Sequence, residues 1–348
     1  MNLYLENGYL DMWAIYNIPR DFIFVYGGRG PGKTYGMFEL LAEHRIKFLY
    51  LRRTQKQERA AGSSALHPYK ILNERRGWNI RPFIVDGVRG FYHAIFDDKD
   101  KKYIIDPDNP DALGYITSLS GFASTRGIDG SDIDCIFFDE FVAKRNEKRM
   151  PGEFAAVNDV QETINRNREL EGKPPVKMVF CSNTDNIANP VFLGWNLVRR
   201  AQKMESRGDE IYIDNKRPFA LVSTVNSPIS ERKSETALYR MDDTGSYSRM
   251  AIHSSFGEEY TNIKSMPLTE FRPVMVVGEI AIYHHKSRQY YYISTHISGG
   301  CPRYGASEKE SDRARKHLYR VWDAYYEGQV IFEEPLCEIL LQKYVSGK

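Results

Sequence analysis

Cysteine is scarce: there are 4 in 348 residues, Cys135, Cys181, Cys301 and Cys337, and no two form a C-x-x-C pair. So wide a spacing argues against a disulfide framework or a zinc site and suits a reducing compartment. No apolar run approaches the ~18 residues that a membrane span needs. The opening residues, MNLYLENGYLDMW, are acidic and lack the basic-then-apolar order of an export leader, so no secretion signal is expected. Charge of either sign is nearly absent in the balance, which is only +2. A protein that wraps DNA tightly and sequence-specifically is usually more basic. The balance leaves room for DNA that is touched and released. Internal repeats and low-complexity tracts are also missing.

What remains is a globular composition, 42% hydrophobic and 27% charged, rich in aromatics with 23 Tyr, and long enough for two domains. One stretch stands out. Phe22 to Tyr26 has strand composition, and Gly27-Gly28-Arg29-Gly30-Pro31-Gly32-Lys33-Thr34 follows at once. It fits G-x-x-x-x-G-K-[ST], the P-loop. Met37, Leu40, Leu41 and His44 then recur at helical spacing. Glycines let successive N–H groups fold around phosphate oxygens, and the helix start adds further donors and a favourable dipole. Lys33 is placed for the β- and γ-phosphates and Thr34 for Mg²⁺. ATP and Mg²⁺ are the ligands this implies.

Further along, KFLYL (47–51), GYITSL (114–119), DCIFF (134–138) and VKMVFC (176–181) read as core strands. RPFIVDG, RGFYHAIF and KKYIID read as a small antiparallel meander inserted on that core. Strands alternating with helices predict an α/β fold, a mostly parallel sheet flanked by helices, with ligands at the strands' carboxyl ends. A helix is expected over 191–204. The polar stretch near Glu205 to Glu210 suggests a boundary, giving a nucleotide domain over 1–204, a linker over 205–228 and a smaller mixed α/β domain over 229–348. In that second domain Pro273 to Tyr283 and Gln289 to His296 look like the two arms of a hairpin.

IDCIFFDEF (133–141) is a Walker B pattern, four apolar residues followed by two acids. Asp139 suits Mg²⁺, which prefers oxygen ligands. Glu140 suits a base for the attacking water, which a kinase acting on a substrate hydroxyl needs less. At the end of the next strand, Asn183 is placed to hydrogen-bond the γ-phosphate or its water. Hydrolysis also needs positive charge on the transferring phosphoryl. The candidates are Arg166 and Arg168 in INRNREL, Arg126 in STRGID, and Arg29 within the P-loop. Arg52, Arg53, Lys56 and Arg59 form a basic run after one strand. Such a run fits a grip on DNA phosphates as well as a solvated charged face.

Taken in order, GGRGPGKT, KFLYLRR, IFFDEF, INRNRE and CSNTDNIANPVFLGWNLV resemble the DNA-packaging ATPases of phi-twenty-nine-like short-tailed phages. These terminase-like motors belong to the P-loop class with an additional catalytic glutamate. The resemblance is specific over residues 20 to 200. It implies ATP hydrolysis that drives double-stranded DNA through the portal of a prohead. It also implies a homopentameric ring in the host cytoplasm that is absent from the mature virion, and leaves open whether a packaging RNA joins it. Lys33, Thr34, Asp139 and Glu140 take the phosphate, metal and catalytic roles by their motif positions. Arg166 is placed as a finger reaching a neighbour's site. Arg126 stands where the family has a lysine thought to act across the same interface. Lys56, in the loop after KFLYLRR, is placed as a pore-facing DNA contact, with Arg53 and Arg59 beside it. The second domain resembles a ribonuclease H-like nuclease stripped of its metal-binding acids, with only Glu279 in evidence. The rivals are another nucleic-acid ATPase, such as a helicase or helicase loader, then a small-molecule P-loop kinase, and a scaffold protein with a decayed nucleotide site.

Overall fold

The structure is a computed structural model that describes residues 1–122, 130–143, 150, 152–183, 189–229, 232, 235–241, 263–305, 308–327 and 329–346. The chain divides into two compact units, Met1–Ser255 and Phe256–Lys348.

The first unit is built on strands β1 (Phe22–Gly27), β2 (Phe48–Arg52), β3 (Ile80–Val85), β4 (Val88–Asp97), β5 (Lys102–Ile105), β6 (Gly114–Ser118), β7 (Cys135–Asp139), β8 (Lys177–Asn183), β9 (Ile211–Ile213) and β10 (Phe219–Ser223). Their order in the sheet is β3-β4-β6-β2-β7-β8-β1-β10-β9, with β5 paired to β4. From β6 to β10 every pairing is parallel, and the flanking β3, β4 and β9 are antiparallel. The helices that matter for the site are α1 (Met12–Tyr16), α2 (Lys33–Glu43), α3 (Gln55–Ala61), α4 (Tyr69–Arg76), α5 (Leu119–Phe122), α6 (Glu153–Asn165), α7 (Pro190–Gly194) and α8 (Val198–Arg207).

The central strands are apolar throughout because both of their faces are covered. Successive residues point to opposite faces, and each face has its own aromatic cluster. On one, Phe38 of α2 meets Phe48, Tyr50, Tyr69, Phe91 and Phe137 with ring centroids 4.8 to 5.9 Å apart. On the other, Phe24 stacks on Phe180 at 4.4 Å, and Phe141, Phe192 and Trp195 surround them. Each such ring stabilises the fold by about 1.5–3 kcal/mol through burial.

In this unit three expectations change. Residues 205–228 are not a linker: β10 lies in register beside β1, from Phe22↔Phe219 to Tyr26↔Ser223, and is buried along its whole length. The charged stretch before it is the end of α8 and the turn into β9. The meander is not a separate insertion either, because β4 pairs with β6 at Gly90↔Tyr115 and extends the main sheet. The expected helix over 191–204 is broken into α7 and α8, with Asn196 at φ 55 between them.

The second unit holds a five-stranded mixed sheet in the order β14-β11-β12-β13-β15. Its strands are β11 (Phe271–Val277), β12 (Ile280–His285), β13 (Tyr291–Ser294), β14 (Arg303–Tyr304) and β15 (Val330–Phe332). The helices Glu308–Tyr326 and Pro335–Ser346 supply Leu318, Val321, Leu341 and Tyr344 to the core on one face. The stretch 273–283 is two strands rather than one arm of a hairpin, because the chain reverses at Gly278, φ 52, and Glu279. Glu279 is exposed at that turn and its N–H donates to the Tyr344 hydroxyl at 3.3 Å.

Candidate active site

The P-loop joins β1 to α2 as its motif requires. Gly27, Gly30 and Gly32 have φ of 138, 86 and 98, values that side chains resist. Gly27 is fixed twice over: a Cβ there would lie 2.4 Å from Thr224 Oγ1, just beyond β10. Lys33 opens α2 and is 6% exposed. Its Nζ donates to the carbonyls of Gly28 at 2.7 Å and Gly27 at 3.3 Å, and to Asn183 Oδ1 at 3.4 Å. The strand register brings Asn183 there, pairing it with Gly27. Around the turn lies a cleft of about 610 Å³, lined in part by Tyr9, Arg29, Lys33, Thr34, Ile71 and Asn183. Pro31 and Gly32 line it too, and Leu10 N–H donates to the Pro31 carbonyl at 2.9 Å.

β8 separates β1 from β7, so the acid pair faces the P-loop across the tip that carries Asn183. Thr34 Oγ1 lies 3.2 Å from both carboxylate oxygens of Asp139. Asp139 is also contacted by the Tyr50 hydroxyl at 3.1 Å and by Arg52 Nη1 at 2.8 Å. The other end of the same guanidinium, Nη2, holds Glu140 Oε2 at 2.7 Å. Burial pushes the Asp139 pKa up, and Arg52 works against that rise. For Arg52 burial opposes the charge, yet Tyr50, Asp139 and Glu140 together hold its pKa above the ordinary guanidinium value. Glu140 sits just past the strand end at φ 53, a left-handed conformation unusual for a residue with a side chain.

The remaining candidates separate. Arg53 is the clear correction to the DNA-binding expectation. It is 1% exposed, and its Nε and Nη2 hold Glu153 at 2.8 and 3.0 Å. Successive strand residues point oppositely, so Arg52 reaches the acid pair while Arg53 reaches the first residue of α6. Lys56 and Arg59 are exposed, but they ride on a helix rather than a loop. Thr54 and Gln57 form a capping box that starts α3, and Glu58 accepts a 2.7 Å bond from Ser118 Oγ at the end of β6. Three residues apart, Lys56 and Arg59 share a face of α3.

Arg166 caps the far end of α6 at φ 44 and ψ −127 and is exposed. Arg168 anchors that end, donating to the Ile133 carbonyl at 2.6 Å and to Asp134 at 3.0 Å. These two residues immediately precede β7, whose opposite end carries Asp139. Arg166 therefore stands at the amino ends of the strands, and the P-loop at their carboxyl ends. The length of α6, 13 residues or roughly 20 Å, lies between Arg166 and the Glu153 end. Within one chain the two do not meet. Arg126 falls outside the described residues.

The model of the podovirus DNA encapsidation protein (Gp16) family matches residues 9–282. The chain belongs to that family. Two DNA packaging proteins, of Bacillus phage PZA and Bacillus phage phi29, are each 28% identical to it over 238 residues. The match covers 67% of this chain and spans 61% of those relatives' length. The chain also shares its fold with a chain of the bacteriophage Phi-29 viral genome packaging motor assembly. That likeness has a TM-score of 0.62 at 18% identity and covers 99% of this chain and 100% of the other.

For a member of the encapsidation family, the donor set fits a magnesium nucleotide. Thr34 and Asp139 converge as hard oxygen donors, and Mg²⁺ bound with phosphates needs only one or two carboxylates. Sequence reasoning missed the part played by Arg52 and Tyr50. The partial sign was that two apolar strands each end in a charged residue, Arg52 and Asp139; the register that pairs Leu51 with Phe138 then sets them side by side. Glu153, about a hundred residues from Arg53, had no such local sign.

Proposed function

We propose that this chain is an ATP-driven translocase of double-stranded DNA that packages a viral genome into a prohead. The observation that carries the reading is the gathering of Lys33, Thr34, Asp139 and Glu140 at one end of the sheet, in a chain of the encapsidation family. The N–H groups of Gly27 to Thr34 and the Lys33 ammonium would hold the phosphates of ATP. Mg²⁺ held by Thr34 and Asp139 would neutralise charge on the phosphoryl oxygens. Glu140 orients a water and takes its proton while the water oxygen bonds to the γ-phosphorus. The bond from that phosphorus to the β–γ bridging oxygen breaks and ADP leaves. Asn183, bonded to Lys33, would sense whether the γ-phosphate is still attached. Arg52 holds Glu140 Oε2 and would orient the carboxylate toward that water.

Arg166 is separated from its own P-loop, which favours action on a neighbour in a homopentameric ring. Arg126 is a second candidate for that interface. Lys56 and Arg59 on α3 would face the pore and grip phosphates without regard to sequence, as a motor requires. Because α3 follows Arg52 and Arg53 directly, movement of the acid pair is transmitted to the grip. The ring would dock on the portal in the host cytoplasm and leave before the virion matures. The second unit is proposed to lack nuclease activity.

ATP turnover without any acceptor, raised by duplex DNA, is expected. Strand separation, or turnover only with a small-molecule acceptor, would overturn the reading. Arg166→Ala should lower turnover by about 10³–10⁵. Mixing it with Glu140→Gln subunits should restore activity at interfaces where an intact Arg166 meets an intact Glu140. No recovery at any ratio would remove the arginine from its role across the interface.

A further inference from the structure

We infer that the turn after α6, with Leu170 at its tip, docks on the apolar rim of the P-loop cleft of a second copy of this chain, where Leu5, Tyr9 and Ile71 receive it. This rests on the ring proposed above, and it names the surface that would bring Arg166 to a neighbour's site.

Leu170 is 87% exposed, more than any other large hydrophobic side chain among the described residues. A single exposed leucine is ordinary. This one is held on a fixed platform. Arg168 pins the turn to Ile133 and Asp134. Asn165 accepts from Val176 N–H at 2.8 Å and donates to Glu169 at 3.0 Å. The Lys173 N–H closes back on the Arg168 carbonyl at 2.9 Å. A turn whose backbone is fixed in this way has little backbone freedom left to lose when a partner buries its tip. The turn begins at Arg166, whose φ of 44 is strained for a residue with a side chain. Backbone strain of this kind concentrates at functional positions.

The receiving surface lies at the opposite end of the sheet. Leu5 and Tyr9 are each 46% exposed and Ile71 is 52% exposed, and all three line the cleft that contains Lys33 and Thr34. Charge agrees with the match. Glu169 and Glu171 flank Leu170, while Arg75 and Arg76 line the cleft beside Ile71. Glu171 already pairs with Lys173, and Arg76 with Glu39 and Glu43, so docking would join two charged pairs into a network rather than bury lone ions. A protrusion at one end and a socket at the other cannot meet within one chain. Repeated from copy to copy they make a head-to-tail contact, the kind that closes into rings. The Leu10–Pro31 backbone bond ties the socket segment to the P-loop, so the contact is also coupled to the phosphate turn.

The test mixes full-length Leu170→Cys chains with full-length Ile71→Cys chains, in the presence of a non-hydrolysable ATP analogue and duplex DNA. Disulfide-linked pairs are read on a non-reducing gel and oligomers by native mass spectrometry. Linked pairs containing one chain of each kind, absent when either variant is oxidised alone, are expected. Leu170→Ser should weaken self-association about tenfold or more. Oligomers that form without the cross-link, and with Leu170→Ser behaving as the unchanged protein, would overturn this contact and leave the ring intact. Chains that stay single under every condition would overturn both the contact and the ring.

Discussion

Among the described residues, Lys33, Arg53, Asp139 and Glu153 of the first unit are charged groups no more than 6% exposed, whereas the buried polar residues of the second unit are His285 and Ser294. Taking ionised groups out of water is unfavourable, and a well-packed apolar replacement is often as stable. Their confinement to one unit therefore separates two kinds of construction. The first unit keeps buried charge where chemistry or its transmission needs it. The second is assembled from apolar faces, and the carboxylate that binds its buried Ser294, Glu333 at 2.7 Å, stays half-buried at the edge of the fold.

The largest effect that sharpens this contrast concerns the acid pair. Glu140→Gln is expected to lower ATP turnover by about 10²–10⁴ while nucleotide binding persists, read by steady-state hydrolysis beside a binding titration. Equal loss of both would show that the residue only supports the fold. Next comes the buried pair. Arg53→Ala should destabilise the first unit by about 3–5 kcal/mol in urea unfolding, because it strands Glu153, while Arg53→Met with Glu153→Leu should recover most of that. A weaker salt dependence of DNA binding with unchanged stability would instead return Arg53 to the DNA surface.

A smaller, pH-dependent effect belongs to His67, which is buried in the first unit. Burial, with Arg81 and Lys70 nearby, lowers its pKa from 6.5 to about 4. The unfolded chain thus takes up a proton near pH 6.5 that the fold resists until about pH 4. The contribution is present above 6.5 and is lost as pH falls through that window. His67→Gln should flatten the decline in denaturation midpoint between those values, and an unaltered slope would refute the assignment. The smallest effect lies in the second unit. Tyr344→Phe removes the hydroxyl that accepts from Glu279 N–H and should cost about 0.5–1.5 kcal/mol. ATP turnover should be unchanged; a large fall would break the contrast between the units.

What was legible in the sequence follows the range of the forces. The P-loop, β1, β2, β6, β7 and β8 are written in short local patterns, and so are Lys33, Thr34, Asp139 and Glu140. The helix α3 was legible too, since Thr54 and Gln57 stand at capping-box spacing. It was the resemblance that placed Lys56 in a loop. Arg52 and Arg53 look equivalent in a run of cations, and only the alternation of a strand sends them to different carboxylates. The strand composition of β10 was visible, but its partner β1 lies almost 200 residues earlier, and no local signal reports such a pairing. The turn at Gly278 was marked only by Gly278-Glu279 between two apolar runs, a signal short enough to be read as part of one strand.

The left-handed backbone at Glu140 has an evolutionary corollary. Holding a glutamate in that shape is unfavourable by about 1–2 kcal/mol, a penalty that glycine escapes and asparagine tolerates better. A descendant relieved of cutting nucleotide would drift towards one of those two residues and gain stability by doing so. The identity of position 140 in any such lineage would then serve as a record of whether selection for turnover had persisted.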